Sequence, residues 1–467
     1  MIFSSKKKTT LIASLIGISA TFSVNTLAQS LESVVAQTLD THPEIRQAFA
    51  RFKVKEEAVN QASSGYLPTI DLTAGYGYEF TDTPSNRRNS LGQDDGTTEM
   101  ARGEFGVSLK QILFDGLFTQ NNVKRTMSEA SAEQWVLVST AEDLALSVAK
   151  AYLQYLKTEQ LVELAEKNIV AHEEIYAQIK ERTDSGLGSI ADFSQVTGRL
   201  ARSQSNLIAA RNNHLDARSQ YIRLTNQSPK DLVIPVPDAD LLPNNRQVGI
   251  EQAIDNHPVI KSAQQDVLAA RANKKTVTST NYPSLSLELD ANADNDIGGE
   301  DGYNRTGSDV GGHRENVTVM LRMRYNLYAG GEDRSKERSA AYELTQAQEL
   351  NANAHRQVKE GFSLSWNAYE MLALQKKYIK QHIETSKETQ MAYKEQFNIG
   401  QRNLLDLLDT ENELFQARQD YLEAQFSEIE ARYRLLNATG QLLDSLRVTR
   451  AKAWQGEHDY TEIADEL

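Results

Sequence analysis

The chain has no cysteine among its 467 residues. This absence excludes disulfide bonds, thiolate metal sites and a lipid-bearing cysteine at the start of a mature chain. Proline is scarce and clustered, with none between Pro84 and Pro229 and none after Pro283. The length alone suggests two or three globular domains, but this distribution of proline argues against several compact units.

Long apolar runs are missing beyond the first 28 residues. Since no later stretch approaches the ~18 consecutive apolar residues of a membrane-spanning helix, we expect any membrane insertion to use β-strands. Residues 1–28 are predicted to be a secretory signal peptide. They contain a basic start at Lys6 to Lys8, an apolar core from Leu11 to Val24 and a small-x-small cleavage site ending at Ala28.

Basic residues are outnumbered in this chain. Without the three lysines of the signal, 47 of the 50 Lys and Arg residues remain against 64 Asp and Glu, so the mature chain has a net charge of −17. Nucleic acid is therefore not an expected partner, because its phosphates repel an acidic protein. The eight histidines are scattered singly, and no phosphate-binding loop or nucleophile elbow is present. We expect no enzyme activity and no cofactor.

An internal repeat organises the sequence. "THPEIRQA" at Thr41 has a partner in "NHPVIKSA" at Asn256, 215 residues later, and "ILFDG" and "SGLGSIAD" are answered in the same order by "NLYAGG" and "IGQRNLLD". A long repeat of mixed type indicates duplication of a whole structural module. The predicted organisation is a signal at 1–28, a first repeat at 29–228, a proline-rich linker at 229–249, a second repeat at 250–440 and an acidic C-terminal tail at 441–467.

Each repeat is predicted to begin with one helix, at 31–64 and 250–280, followed by a β-hairpin, at 69–113 and 284–327. The strands show period-two alternation of apolar and polar residues, with Met320 as an exception. The intervening segments 81–102 and 294–315 are rich in Gly, Asn and Asp and are expected to be exposed loops. His42 and His257 are expected at helix starts.

Strands with one apolar and one polar face occur in two environments. The more common is a soluble β-sandwich, in which one face of each sheet is buried and the other meets water. However, strands of about ten residues with aromatic residues near their ends also match the ~9 to 11 residues that cross a bilayer in a β-barrel. Four strands cannot close a barrel, and unpaired strand edges are costly in hydrocarbon. We therefore expect an oligomer, in which two chains would supply 8 strands and three would supply 12.

Long helices follow each hairpin. Segment 117–185 has no proline and no glycine, and its counterpart 332–398 has no proline and contains Gly361 as its one glycine. A helix of 69 residues spans roughly 100 Å, and mixed three-and-four apolar spacing indicates coiled-coil packing, with an isolated coiled coil as the alternative. Ser189 and Asn403 are predicted to cap second helices at 190–226 and 404–438.

These features together resemble the TolC family, over essentially the whole mature chain. The motifs that carry the resemblance are the "HPEI" and "HPVI" openers, the "YLP" and "YPS" strand entries and the "LFDG" and "LYAGG" junctions. The resemblance implies an α+β membrane protein and a homotrimer, with twelve strands, four per chain, closing an outer-membrane β-barrel. A long α-helical coiled-coil barrel would continue into the periplasm, and the linker and tail would join a belt around it.

Candidate site residues lie in "GQRNLLDLLD", residues 400–409. From spacing alone, Asp406 is favoured as a capping acid, like Asp192 in the first repeat. Asp409 is not explained in this way. The resemblance implies that Asp406 and Asp409 form a constriction at the periplasmic tip. The resemblance also implies a set of residues, here called the latch, whose contacts hold this tip closed.

The latch positions are Asp192, Arg402 and Phe397. Phe397 replaces a tyrosine of the family pattern and has no hydroxyl, so only its packing can contribute. The pair Asp192 and Arg402 is therefore the favoured latch. A catalytic carboxylate pair is not favoured, because glycosidases place their two acids on separate walls of a cleft.

The function implied by the resemblance is a passive outer-membrane exit duct. Its partners would be outer-membrane lipid, a periplasmic adaptor (membrane fusion) protein and an inner-membrane ABC transporter or proton-driven efflux pump. The absence of cysteine and the "SGLGSIAD" turn favour type I secretion of a large protein such as an adhesin or toxin. The alternatives are a drug efflux duct and, from another class, a periplasmic coiled-coil scaffold or adhesin.

Overall fold

The computed structural model describes residues 29–82, 84, 97–297, 312–457 and 460. The predicted signal at 1–28, most of both hairpin loops and the last seven residues of the tail lie outside these residues. The elements of the first repeat are α1 (Leu31–Thr41), α2 (Pro43–Ser63), β1 (Thr69–Asp82), β2 (Thr97–Phe114), α3 (Phe118–Asp184) and α4 (Ile190–Thr225).

The second repeat has the same order of elements. They are α5 (Arg246–Asn256), α6 (Pro258–Thr278), β3 (Ser284–Ile297), β4 (Gly312–Arg324), α7 (Glu332–Asn398) and α8 (Leu404–Ala438), followed by a short helix α9 (Leu442–Ser445). Within the described ranges, none of the helices combines the length and the apolar character needed to cross a membrane.

The expectation of one opening helix per repeat is wrong, because each helix breaks at a histidine. His42 and His257 have extended backbone angles, as expected for residues that precede proline. Each begins the next helix as its N-cap: Nδ1 of His42 accepts the N–H of Glu44, and Nδ1 of His257 accepts the N–H of Val259, both at 3.3 Å. Burial lowers the pKa of His257 to about 4, which keeps the ring neutral and able to accept. The placement of both histidines at helix starts is confirmed.

The strands extend further into the predicted loops than expected. Asp82 pairs with Thr97 in the first hairpin, and Asp296 pairs with Gly312 in the second. The segments 81–102 and 294–315 are therefore partly strand, since backbone pairing continues beyond the alternating apolar residues. The last strand also ends at Arg324 and not at residue 327.

The four strands form one antiparallel sheet in the order β1-β2-β3-β4. Its register places apolar residues opposite apolar ones, for example Leu72 opposite Val107 and Leu289 opposite Val319. Met320 falls on the polar face opposite Glu288, as the alternation predicted. The sheet thus has one continuous apolar face and one continuous polar face.

The helices α3 and α7 have 67 residues each, so each spans about 100 Å. Each ends in a tight turn and is followed by an antiparallel partner, which gives two helical hairpins. We call α3 and α4 the first hairpin, and α7 and α8 the second hairpin. These bounds agree with the predicted bounds to within a residue.

The main apolar core lies around the middle of α3. There α1, α4, α8 and α9 pack on it, through residues such as Val35, Val148, Tyr152, Tyr221 and Leu442. The buried Tyr152 hydroxyl accepts the N–H of Val233 in the linker at 2.9 Å, and the carbonyl oxygen of Gln29 is 2.7 Å away. The linker is therefore attached to the side of the helices.

The tail also packs on the helices. Tyr460 is buried against Phe52 of α2 with ring centroids 6.1 Å apart, and its carbonyl oxygen accepts the hydroxyl of Ser131 at 2.8 Å. The Gln134 amide donates to the carbonyl oxygen of Trp454 at 2.8 Å. The described part of the tail thus follows α2 and α3 and does not project into solvent.

Candidate functional site

The apolar face of the sheet is exposed in the single chain. Its large side chains include Leu72, which is 68% exposed, and Val319, which is 64% exposed. The other exposed apolar side chains on β1 and β4 include Ile70, Tyr76, Tyr78, Phe80, Val317, Leu321 and Met323. A contiguous apolar surface of this kind marks a membrane or protein contact.

The height of this apolar band fits a bilayer. From Ile70 to Phe80 the strand advances ten residues, or about 34 Å, and a tilt of about 45° gives a height of about 24 Å. This is close to the ~25 Å apolar band of outer-membrane barrels.

The polar face carries ion pairs that join every neighbouring pair of strands. Arg102 on β2 contacts Glu79 on β1 at 2.7 Å, and Arg322 on β4 contacts Glu288 on β3 at 2.6 Å. Lys110 on β2 lies 3.7 Å from the same Glu288. Such a charged surface requires contact with water, whereas the opposite face of the same sheet does not.

At the far end of the molecule, the two hairpins turn with the same geometry. Gly186 and Gly400 adopt left-handed angles, with φ of 74° and 78°. In each turn the glycine N–H and the following N–H donate back to carbonyl oxygens of the last helical turn, as in a Schellman motif. Glycine is required there because a side chain at positive φ is strained.

The second helix of each hairpin begins with the predicted cap. The Ser189 hydroxyl accepts the N–H of Ala191 at 3.1 Å, and the Asn403 side chain accepts the N–H of Asp406 at 2.8 Å. The cap uses the backbone of Asp406, so its carboxylate remains available for another contact. That carboxylate lies 3.4 Å from the guanidinium of Arg402.

The tip has an apolar core shared by the two hairpins. Ile175 and Ile179 of α3 and Val196 of α4 pack against Phe397, Leu404, Leu407 and Leu408 of the second hairpin. Phe397 is 5% exposed, and the guanidinium of Arg182 lies over its ring at 5.0 Å from the centroid. The predicted packing role of Phe397 therefore has partners within the chain.

Asp409 has a partner that the sequence did not indicate. Its Oδ1 accepts a hydrogen bond from Nη2 of Arg199 on α4 at 2.8 Å. Asp409 and Asp406 project from one face of α8, while Leu407 and Leu408 are buried on the other. The structure thus brings both acids together on an accessible face, each with an arginine.

Asp192 and Arg402 are not brought together within one chain. Arg402 donates from Nη1 to the carboxylate of Asp406 at 3.4 Å and from Nε to the side-chain oxygen of Gln396 at 3.0 Å. Its guanidinium also lies 4.2 Å from the ring centroid of Tyr393. Among the described residues, Asp192 forms no ion pair with Arg402, so that latch stays a prediction.

A two-faced sheet continued by helical hairpins of about 100 Å defines this molecule as a chain of an α+β outer-membrane channel. Residues 34–227 and 249–441 match the family described as "Outer membrane efflux protein". The chain belongs to this family, which confirms the resemblance found in the sequence and its location in the outer membrane. The two matched segments also correspond to the two repeats.

Similar proteins span nearly the whole chain. "Outer membrane efflux protein BepC" of Brucella suis biovar 1 (strain 1330) is 24% identical over 439 residues, covering 94% of this chain and 91% of that protein. "Outer membrane protein TolC" of Escherichia coli (strain K12) is 24% identical over 445 residues, covering 92% and 86%.

A solved structure shares the fold. The Campylobacter jejuni CmeC outer membrane channel superposes with a TM-score of 0.75 at 16% identity, covering 88% of this chain and 86% of that chain. The chain fold is therefore that of an outer-membrane channel subunit.

Proposed function

We propose that three copies of this chain form a passive exit duct through the outer membrane, closed at rest at the tip of its helical hairpins. The observation that carries this proposal is the sheet with an exposed apolar band on one face and ion-paired charges on the other. Lipid outside and water inside satisfy both faces at once.

The edges of the sheet explain why one chain is insufficient. The strands β1 and β4 are its two edges, and an unpaired edge in hydrocarbon leaves N–H and C=O groups unsatisfied at several kcal/mol each. Pairing β4 of one chain with β1 of the next removes the edges. Three chains of four strands give the twelve-stranded barrel that the family resemblance implies.

The gate is proposed at the tip, where Asp406 and Asp409 share one face of α8. Threefold symmetry would place six carboxylates around the axis. Converging carboxylates focus a negative potential that binds cations. In the trimer, Asp192 is proposed to reach Arg402 of a neighbouring chain and Phe397 to act through packing alone.

The transport system is proposed to be tripartite, with a periplasmic adaptor protein and an inner-membrane ABC transporter, and to carry out type I secretion of a large protein. The cysteine-free sequence and the "SGLGSIAD" turn support this choice. A second candidate is efflux of small molecules, with a proton-driven pump as the alternative partner. The name of a similar protein, outer membrane efflux protein BepC, supports this second candidate.

Planar-bilayer recording tests the duct. The purified protein should run as a detergent-stable trimer and give stepwise conductance at low frequency. A periplasmic scaffold or adhesin would instead be released from membranes by salt and give no conductance. Absence of conductance from a verified trimer would refute the proposal.

Recording the same trimer with a trivalent cation on the tip side tests the gate. Asp406→Asn combined with Asp409→Asn should weaken the block at least about tenfold, because the converging charges are removed. Asp420→Asn, on the same helix but away from the tip, is the matched control. Equal block in all three proteins would remove the acids from the gate.

Deletion of the gene separates the two transport systems. Loss of one large protein from the growth medium with unchanged drug susceptibility indicates type I secretion. Increased drug susceptibility with an unchanged set of secreted proteins indicates efflux.

A further inference from the structure

Besides the shared apolar core, charged side chains form three contacts between the first and second hairpins near the tip, among the described residues. Arg199 of α4 binds Asp409 of α8 at 2.8 Å, Lys394 of α7 lies 3.6 Å from Glu174 of α3, and Arg182 covers the ring of Phe397. Of these, only the contact of Arg199 involves one of the two gate acids.

The position of Arg199 is well defined by its surroundings. Its side chain is 26% exposed, against 58% for Asp409. His172 of α3 is buried nearby, and its pKa is lowered first by burial and then by the positive charge of Arg199. The guanidinium of Arg199 therefore lies near α3 and also contacts the carboxylate of Asp409.

The two gate acids are held in different ways. Asp406 is paired with Arg402, four residues away in the same hairpin. Asp409 is paired with Arg199, which belongs to the other hairpin. A movement that separates the hairpins at the tip therefore breaks the second pair and leaves the first intact.

We propose that Arg199 is a gate residue that ties Asp409 of the second hairpin to the first hairpin and neutralises its charge while the tip is closed. The proposal rests on the duct function proposed above. Parting of the hairpins would break the tie and expose the carboxylate of Asp409 to the passage. Through Arg199, opening of the tip would also increase the negative charge of the constriction.

Conductance tests this role. Arg199→Gln should raise the resting conductance about three- to tenfold, because three weak ion pairs are lost in a trimer. The same variant should bind a trivalent cation more tightly than the wild type, since Asp409 loses its counter-charge. Conductance and block both equal to wild type would refute the proposal.

A matched control separates the effect of losing the Arg199–Asp409 pair from the effect of losing any surface ion pair. Arg211 lies on the same helix and contacts Glu166 at 2.9 Å, but that pair joins α3 and α4 within one hairpin. Arg211→Gln should therefore leave conductance unchanged. If it opens the channel as strongly as Arg199→Gln, the effect is one of general helix packing and the proposal fails.

Charge exchange tests the pairing directly. Arg199→Asp alone places two acids together and should open the tip further than Arg199→Gln. Arg199→Asp combined with Asp409→Arg restores an opposite-charge pair and should return the resting conductance to within about twofold of wild type. Failure of the exchange to restore closure would show that the two residues do not act as a pair.

A thiol test does not depend on the pore. Because the chain contains no cysteine, Arg199→Cys with Asp409→Cys introduces only two thiols per chain. A short, reducible bifunctional thiol reagent should link them within one chain and leave a pair at positions 211 and 409 unlinked. Absence of the link refutes the contact, whereas a link in a trimer that never conducts refutes the duct function and leaves the contact standing.

Discussion

Glu142 of α3 is a buried carboxylate that holds the beginning of the C-terminal tail. Its side-chain oxygens accept the N–H groups of Leu442 and Leu443 at 3.1 and 3.3 Å. Burial raises the pKa of Glu142 to about 7; the Leu443 amide opposes this shift and the charge of Asp444 adds to it. Ionisation of Glu142 therefore occurs near neutral pH, in the part of the molecule that fastens the tail.

The expected effect on stability follows from the shift. The pKa rises from 4.5 to about 7, a difference of about 2.5 pH units, and at 1.36 kcal/mol per unit this corresponds to about 3 kcal/mol. Since the folded state holds the proton more tightly, this stability is fully present below pH 4.5 and is lost as the pH rises through about 7. The docked tail should open more readily at pH 8 than at pH 5.

Hydrogen exchange of the full-length protein in detergent measures this opening. After correction for the intrinsic pH dependence of exchange, a peptide covering residues 440–448 should exchange about two orders of magnitude faster at pH 8 than at pH 5. Glu142→Gln should abolish this dependence, because the amide does not titrate. This variant should also protect the amides of Leu442 and Leu443 less well at low pH, because the side-chain nitrogen of glutamine cannot accept the second N–H.

The control is Glu133→Gln on the same helix, whose carboxylate contacts Arg51 at 3.1 Å and not the tail. This variant should keep the pH dependence of the wild type. If Glu142→Gln shows the same corrected pH profile as the wild type, the reasoning from burial is refuted.

Three further perturbations test the packing. Val319→Arg should destabilise the inserted barrel by about 2–4 kcal/mol per chain and so lower the yield of trimer in the outer membrane. Thr318→Arg, opposite Asp290 on the polar face, should leave the yield unchanged. Equal yields of the two variants on a native gel would refute the assignment of the apolar face to lipid. Gly249→Ala should destabilise the fold by about 1–3 kcal/mol and so lower its melting temperature, because a Cβ there meets the ring of Phe362. Phe52→Ala should cost about 3–5 kcal/mol and speed exchange in the tail, and unchanged exchange would contradict its contact with Tyr460.

The helices were predictable because their signals are local. Absence of proline, a glycine at the turn and a cap at Ser189 or Asn403 fixed the ends of the long helices to within a residue. The break at His42 was missed because apolar spacing continues across it, although the proline that follows is a direct signal. Strand ends were missed because backbone pairing tolerates polar side chains beyond the apolar band.

The site was only partly predictable. Asp406 and Asp409 were found because they lie three residues apart on one helix. The partner of Asp409 lies 210 residues away, and no local pattern gives the relative height of two helices. The repeat supplied a usable signal, since Asp409 corresponds to Gln195, and Arg199 lies one helical turn beyond that position on the same face.

The contact between the hairpins shows where the two repeats have diverged. The caps and the turn glycines recur in both hairpins, because both must turn in the same way. Counted from the two caps, Arg199 corresponds to Glu413, and Asp409 corresponds to Gln195. The ion pair between Arg199 and Asp409 therefore joins two positions that are not equivalent in the repeats. The equivalent combination, Gln195 with Glu413, has no positive charge and cannot form an ion pair. The repeats thus support this contact in one direction only, from an arginine of the first hairpin to an acid of the second.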